Sequence, residues 1–143
     1  MKHSVDIQLR FNDTDALGHV NNSTYFSFYD LGKSEYFRTV RGSSIFEQDI
    51  DIVVAHAEVD FIEPVFLTDQ IAVQTEVNRM GNKSFSLQQQ IIDLKTNNIK
   101  CKCTTVMVGY DFHAKRTIPI SEQWRKCIAE YEARPDFLTI EEK

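Results

Sequence analysis

No apolar run in this chain approaches the roughly 18 residues that a membrane span requires. The opening Met1-Lys2-His3-Ser4-Val5-Asp6 lacks the apolar stretch of a signal peptide, so the expected location is cytoplasmic, with no membrane partner. Positive charge is also short: 16 Lys and Arg stand against 21 Asp and Glu, a formal charge of −5. Phosphate-backbone binding needs a basic face, so nucleic acid is not an expected partner, although a local basic pocket for one anionic ligand is compatible with this balance. Cysteine is scarce and odd in number, at three, with no Cys-x-x-Cys and no closely spaced His, which argues for reduced thiols and against a zinc site. Glycine and proline, five and three, form no linker or low-complexity stretch. What is present is 143 residues, 42% hydrophobic and 26% charged, enough for one domain over residues 1–143 with an unstapled core.

Alternation of Val5, Ile7, Leu9 and Phe11 with polar neighbours predicts a half-buried strand over residues 4–11. After a polar stretch, a helical period runs from about Ser23 to Val40. Its stripe is Phe26, Tyr29, Lys33, Tyr36 and Val40, widened by Tyr25, Leu31 and Phe37, with Asn21, Asn22 or Ser23 as cap. Gly42-Ser43-Ser44 ends it, and Ile45 to Asp49 is read as one further turn. Four strands follow, over Ile52 to Ile62, Ile71 to Val77, Phe85 to Ile91 and Ile99 to Phe112, with turns at Arg79–Lys83 and Thr96-Asn97-Asn98. Val53, Ala55, Ala57, Val59 and Phe61 form the apolar face of the first. The last strand is apolar on both faces from Thr105 to Tyr110, which implies cover by another subunit. Ser121 caps a short helix carrying Trp124, Cys127, Ile128 and Tyr131, stopped by Arg134-Pro135, and the end at Glu141-Glu142-Lys143 reads as frayed.

One strand, one long helix and four antiparallel strands is the order of the hot-dog fold: an α+β arrangement in which a five-stranded antiparallel sheet wraps one long central helix, here with a short C-terminal helix. The linking segment Asp13-Thr14-Asp15-Ala16-Leu17-Gly18-His19-Val20-Asn21-Asn22-Ser23-Thr24-Tyr25 resembles the D-x-D-x-x-G-H-V-N-N-x-x-Y signature of the 4-hydroxybenzoyl-CoA thioesterase family, with eight specified residues matched within thirteen. Phe61-Ile62-Glu63-Pro64 and Lys83-Ser84-Phe85 extend the resemblance. It implies an acyl-CoA thioesterase that works without metal or cofactor, coenzyme A being part of the substrate, and that assembles as a homodimer or homotetramer. It also implies that Asp15 is catalytic, that the backbone N–H near Asn22 polarises the thioester carbonyl, and that the hairpin at Lys83 and Ser84 meets the nucleotide end.

The residues support that chemistry independently. Continuing the parity of the first strand through Phe11 turns Asp13 and Asp15 to the apolar side, where burial beside a second carboxylate raises at least one pKa and makes a better base. Gly18 permits a tight turn, and the free N–H groups of the helix that follows form an oxyanion site. Asp15 either activates water or attacks directly. Asp13 is read as a turn device. His19 either lines the site or bonds a loop carbonyl. Tyr25 belongs to the helix stripe and is also a candidate for substrate contact. His56 is either a core or interface histidine or a group facing the acyl pocket. Lys115 and Arg116 supplement Lys83 as phosphate contacts. Two alternatives stand beside the hydrolase: a hot-dog hydratase, whose His-centred arrangement is not found around His19 or His56, and a non-catalytic acyl-CoA sensor, which would carry a DNA-binding module.

Overall fold

A computed structural model describes residues 1–140 of the chain; the reading of a frayed end at Glu141-Glu142-Lys143 lies outside the described residues. The strands are β1 (His3–Ile7), β2 (Ile52–Phe61), β3 (Ile71–Met80), β4 (Ser84–Asp93), β5 (Ile99–Asp111) and β6 (Arg116–Ile118). The helices are α1 (Asn22–Arg41) and α2 (Glu122–Glu132). The sheet order is β1-β3-β4-β5-β2, with β6 beside β5, and β1 pairs β3 antiparallel in the register Val5↔Val73. This is the hot-dog arrangement, and its sheet has six strands rather than five. The extra strand β6 is three residues long, too short to show a period, and forms by pairing back on β5.

Three sequence expectations change. The first strand stops at Ile7, and Phe11–Asp13 is a single 3₁₀ turn instead of extended chain. Arg10 N–H donates to Asp13 Oδ2 at 2.8 Å, and this local bond wins over strand parity. On α1 the buried stripe is Tyr25, Phe28, Tyr29, Gly32, Tyr36 and Val40, while Phe26 and Leu31 are exposed. Positions i, i+3, i+4, i+7 and i+11 share one arc, and Phe26 and Leu31 fall outside it. On β2 the apolar alternation does not mark a buried face: Ala55 and Ala57 are exposed along with Val54 and His56, and β2 lies at the edge of the sheet.

The chain's contacts divide it into two compact units. The first comprises Met1–Tyr36, Glu58–Glu76 and Gln89–Cys103. Its core gathers Val20 and, from the start of α1, Tyr25, Phe28 and Tyr29 against Val65, Ile71, Val73, Ile91, Cys101 and Cys103. The second comprises Phe37–Ala57, Val77–Gln88 and the chain from Thr104 onward. There the Phe37 ring meets Phe85 and Trp124 edge to face at centroid distances of 6.2 and 5.5 Å. Ser121 caps α2 as predicted, its Oγ accepting from Trp124 N–H at 3.2 Å, and left-handed Ala133 ends the helix just before Arg134-Pro135.

Candidate active site

The segment between the 3₁₀ turn and α1 is a tied loop. Thr14 and Val20 form one bridge and His19 and Phe66 another. Asn21 N–H donates to the Asp13 carbonyl at 2.8 Å, and Val20 N–H to the Val65 carbonyl at 2.7 Å. Gly18, at φ +81°, supplies the left-handed turn that brings its own N–H to the Asp15 carbonyl at 3.0 Å. Inside this loop Asp15 Oδ1 accepts from Leu17 N–H at 2.9 Å and from His19 N–H at 3.3 Å. Its second oxygen takes no hydrogen bond among the described residues. Asp15 is exposed and Asp13 half-buried, so the expected inward turn of both carboxylates does not occur. The 3₁₀ turn breaks the parity on which that expectation, and the burial it required, depended.

Asp15 sits on the wall of a recess of about 530 Å³ together with Phe11, Thr14, Ala16, Gly18 and Leu67. Phe11, on that wall, is 79% exposed, and Leu17 in the same loop is 77% exposed. The loop leads directly into α1, whose first N–H groups have no intrahelical acceptor. Thr24 N–H is taken by the Asn21 carbonyl at 2.9 Å, which leaves those of Asn22 and Ser23 for a ligand. The His19 ring stacks edge to face on Phe66 at 4.8 Å, and its carbonyl accepts from Asp15 N–H. Tyr25 is 3% exposed, with its ring against Phe28 and Phe61. Burial raises its phenol pKa, offset in part by a hydrogen bond with the Val65 backbone. It therefore sits in the core beneath the loop. Asp15 and His19 thus share one loop of the first unit, and Asn22 opens the helix into which that loop leads.

Lys83, Ser84, Arg116 and His56 belong to the second unit. His56 is exposed on β2, and Arg116 is exposed at the start of β6. Lys83 and Ser84 line a cleft of about 1050 Å³ with Arg79, Gly81, Arg134 and Phe137; Arg116 is not among its lining residues. Sequence inspection missed two cations here. Arg134 is held in a fork to Asp136 at 2.8 and 2.9 Å and lies 4.4 Å over the Phe137 ring. Arg125, 5% exposed, donates to the carbonyls of Gly81 (2.8 Å), Asn82 (3.3 Å) and Phe137 (3.1 Å) and so ties the two walls of the cleft together. The available signal was an arginine interrupting the apolar stripe between Trp124 and Ile128. Among the described residues no group of three or more His, Cys, Asp or Glu is placed to hold a metal ion.

Residues 9–128 match a protein family described as the thioesterase-like superfamily. The chain is 28% identical over 89 residues to the acyl-CoA thioester hydrolase YbgC of Escherichia coli, a match covering 61% of this chain and 66% of that protein. It is 27% identical over 129 residues to the 1,4-dihydroxy-2-naphthoyl-CoA hydrolase of Rippkaea orientalis, covering 82% and 91%. Among solved structures, a thioesterase of Thermus thermophilus complexed with coenzyme A and Zn superposes with a TM-score of 0.81 at 29% identity, over 94% of this chain and 99% of that one.

Proposed function

The chain belongs to the thioesterase-like superfamily, and from that membership we propose that it hydrolyses an acyl-CoA to the free acid and coenzyme A. The observation that carries the proposal is the geometry of Asp15. One oxygen is anchored by two backbone N–H donors, the other is open toward an apolar recess, and a helix N-terminus follows within the same loop. A water whose proton passes to the open oxygen attacks the thioester carbonyl, or that oxygen attacks it directly to give an anhydride that water then opens. The N–H groups of Asn22 and Ser23 receive the negative oxygen that forms, and the CoA thiolate leaves. No metal or cofactor enters this scheme. The nucleotide end is proposed to lie along Lys83 and Ser84, where Arg79 adds positive charge.

The proposal includes a homo-oligomer, a dimer or tetramer, whose second copy covers exposed Phe11 and Leu17 and the exposed edge strand β2. It also includes a cytoplasmic location, in keeping with three free cysteines. No helix among the described residues is long and apolar enough to cross a membrane. The acyl group is left to experiment, and aryl thioesters such as 4-hydroxybenzoyl-CoA belong in the panel beside fatty ones. The test is release of free thiol from that panel, with and without a chelator, by the wild-type protein and by Asp15→Asn. Wild-type turnover should survive chelation. Asp15→Asn should bind substrate but lose about 100- to 10,000-fold in kcat. Binding of acyl-CoA without turnover by the wild type would instead make the protein a sensor.

A further inference from the structure

For the first N–H groups of α1 to meet a reacting carbonyl, the helix must be held at one depth and one register over the sheet. Apolar packing is non-directional and does not specify register by itself. Two features at mid-helix do. At Gly32 the helix backbone lies so close to β3 and β4 that a Cβ would stand 2.5 Å from Val73 Cγ1 and 2.9 Å from Gln89 Nε2. One turn earlier, Gln89 Nε2 donates to the Tyr29 carbonyl at 3.0 Å and to Thr75 Oγ1 at 3.1 Å, so a sheet side chain is bonded to the helix backbone itself. Gln89 is 1% exposed and Thr75 fully buried.

Stability alone does not account for this glutamine. Tyr29 is inside a helix, where its carbonyl already accepts an intrahelical bond, so it needs no second donor. Gln89 Oε1 is buried with no hydrogen-bond partner among the described residues. A buried acceptor left unpaired destabilises, and apolar side chains in place of both Gln89 and Thr75 would leave none. We propose that Gln89, braced by Thr75 and by the close approach at Gly32, is a positioning residue for the oxyanion donors at Asn22 and Ser23. Tyr29 and Asn22 are two turns apart, about 10 Å of continuous helix, so a fixed point at Tyr29 fixes the N-terminus. The inference rests on the thioesterase proposal for the consequence and on the helix-to-sheet bond for the cause.

The experiment compares wild type, Gln89→Leu and Gly32→Ala in turnover, thermal unfolding and backbone amide resonances. Gln89→Leu should unfold within a few degrees of the wild type, because removal of the orphan Oε1 offsets the loss of the donor to the Thr75 hydroxyl. Its KM should stay within about two-fold while kcat falls about 10- to 100-fold, since small misplacements of reacting groups have effects of that size. The amide resonances of Asn22 and Ser23 should move. Gly32→Ala pushes the same stretch off β3 and should show the same kcat-specific loss, which keeps the proposal testable if Gln89→Leu folds poorly. Full turnover by well-folded Gln89→Leu overturns it, as does a loss confined to KM or to stability. If the wild type hydrolyses no acyl-CoA, the thioesterase proposal fails separately. Unmoved Asn22 and Ser23 resonances in both variants would then overturn the positioning role, and displaced ones would support it.

Discussion

Asp15 combines two tasks in one carboxylate: Oδ1 holds the Leu17 and His19 N–H groups, and the other oxygen is open to the recess. An asparagine keeps an oxygen for the two N–H donors and removes only the charge, so loss of turnover in Asp15→Asn reports chemistry and not collapse of the loop. Asp13 does the opposite. Its carboxylate is engaged by Arg10 N–H across the 3₁₀ turn, and its carbonyl receives Asn21 N–H. Asp13→Asn should leave kcat near the wild-type value and cost on the order of 1 kcal/mol or less in urea unfolding, the scale of a local turn bond. A dead Asp13→Asn beside an active Asp15→Asn would exchange the two roles. The thiols are a different matter: burial pushes Cys101 up to about 11, facing the buried Tyr29 hydroxyl, so Cys101 is packing and not a nucleophile.

Two turns between strands carry predictions of their own. The hairpin from Met80 to Ser84 places exposed Lys83 on the cleft with Arg79 and Arg134. If Lys83 meets a phosphate there, Lys83→Ala should raise KM several-fold at low salt with kcat nearly unchanged, because the contact is the same in ground and transition states. Added salt should shrink the effect. An unchanged KM at low salt would move the nucleotide elsewhere, toward Lys115 and Arg116. In the turn from β5 to β6, the Asp111 carboxylate accepts from Ala114 and His113 N–H, each at 2.9 Å, and these donors hold its pKa below the ordinary 3.8. A depressed carboxyl favours the folded state while ionised, so its contribution is present above 3.8 and lost as pH falls through the lower, folded value. Urea midpoints should therefore decline below about pH 4, less steeply in Asp111→Asn, whose amide takes the same bonds without titrating. An identical slope in the variant would remove Asp111 from the acid response.

For the whole molecule, the prediction is assembly. β2 is ten residues long, lies at the sheet edge and exposes Val54 at 49%, a strand that an isolated soluble chain would need to protect. On β5, Val106, Val108 and Tyr110 face away from buried Thr105, Met107 and Gly109 and are only half covered. Light scattering at micromolar concentration should give a stable multiple of 16.6 kDa, and a stable monomer would refute the homo-oligomer and its cover over Phe11, Leu17 and β2.

The hot-dog order was legible in the sequence because it is written in periods: alternation for β3, β4 and β5, a helical repeat for α1, and turn residues at Gly81-Asn82 and Thr96-Asn97-Asn98. The loop that carries Asp15 and leads to Asn22 was legible as a motif, a run of thirteen adjacent residues. Periodicity states which face of an element is apolar and says nothing about which element, if any, meets it. Hence the alternation on β2 marked an apolar face and not its cover, and Ala55 and Ala57 are exposed on it. The turn of Asp15 toward solvent was missed because the strand stops at Ile7 and local bonds between Arg10 and Asp13 and between Phe11 and Thr14 close a 3₁₀ turn. Arg125 and Gln89 were out of reach for a third reason. Their partners lie 44 residues away at Gly81 and 60 away at Tyr29, and only the folded backbone brings a carbonyl to a buried donor across such a separation.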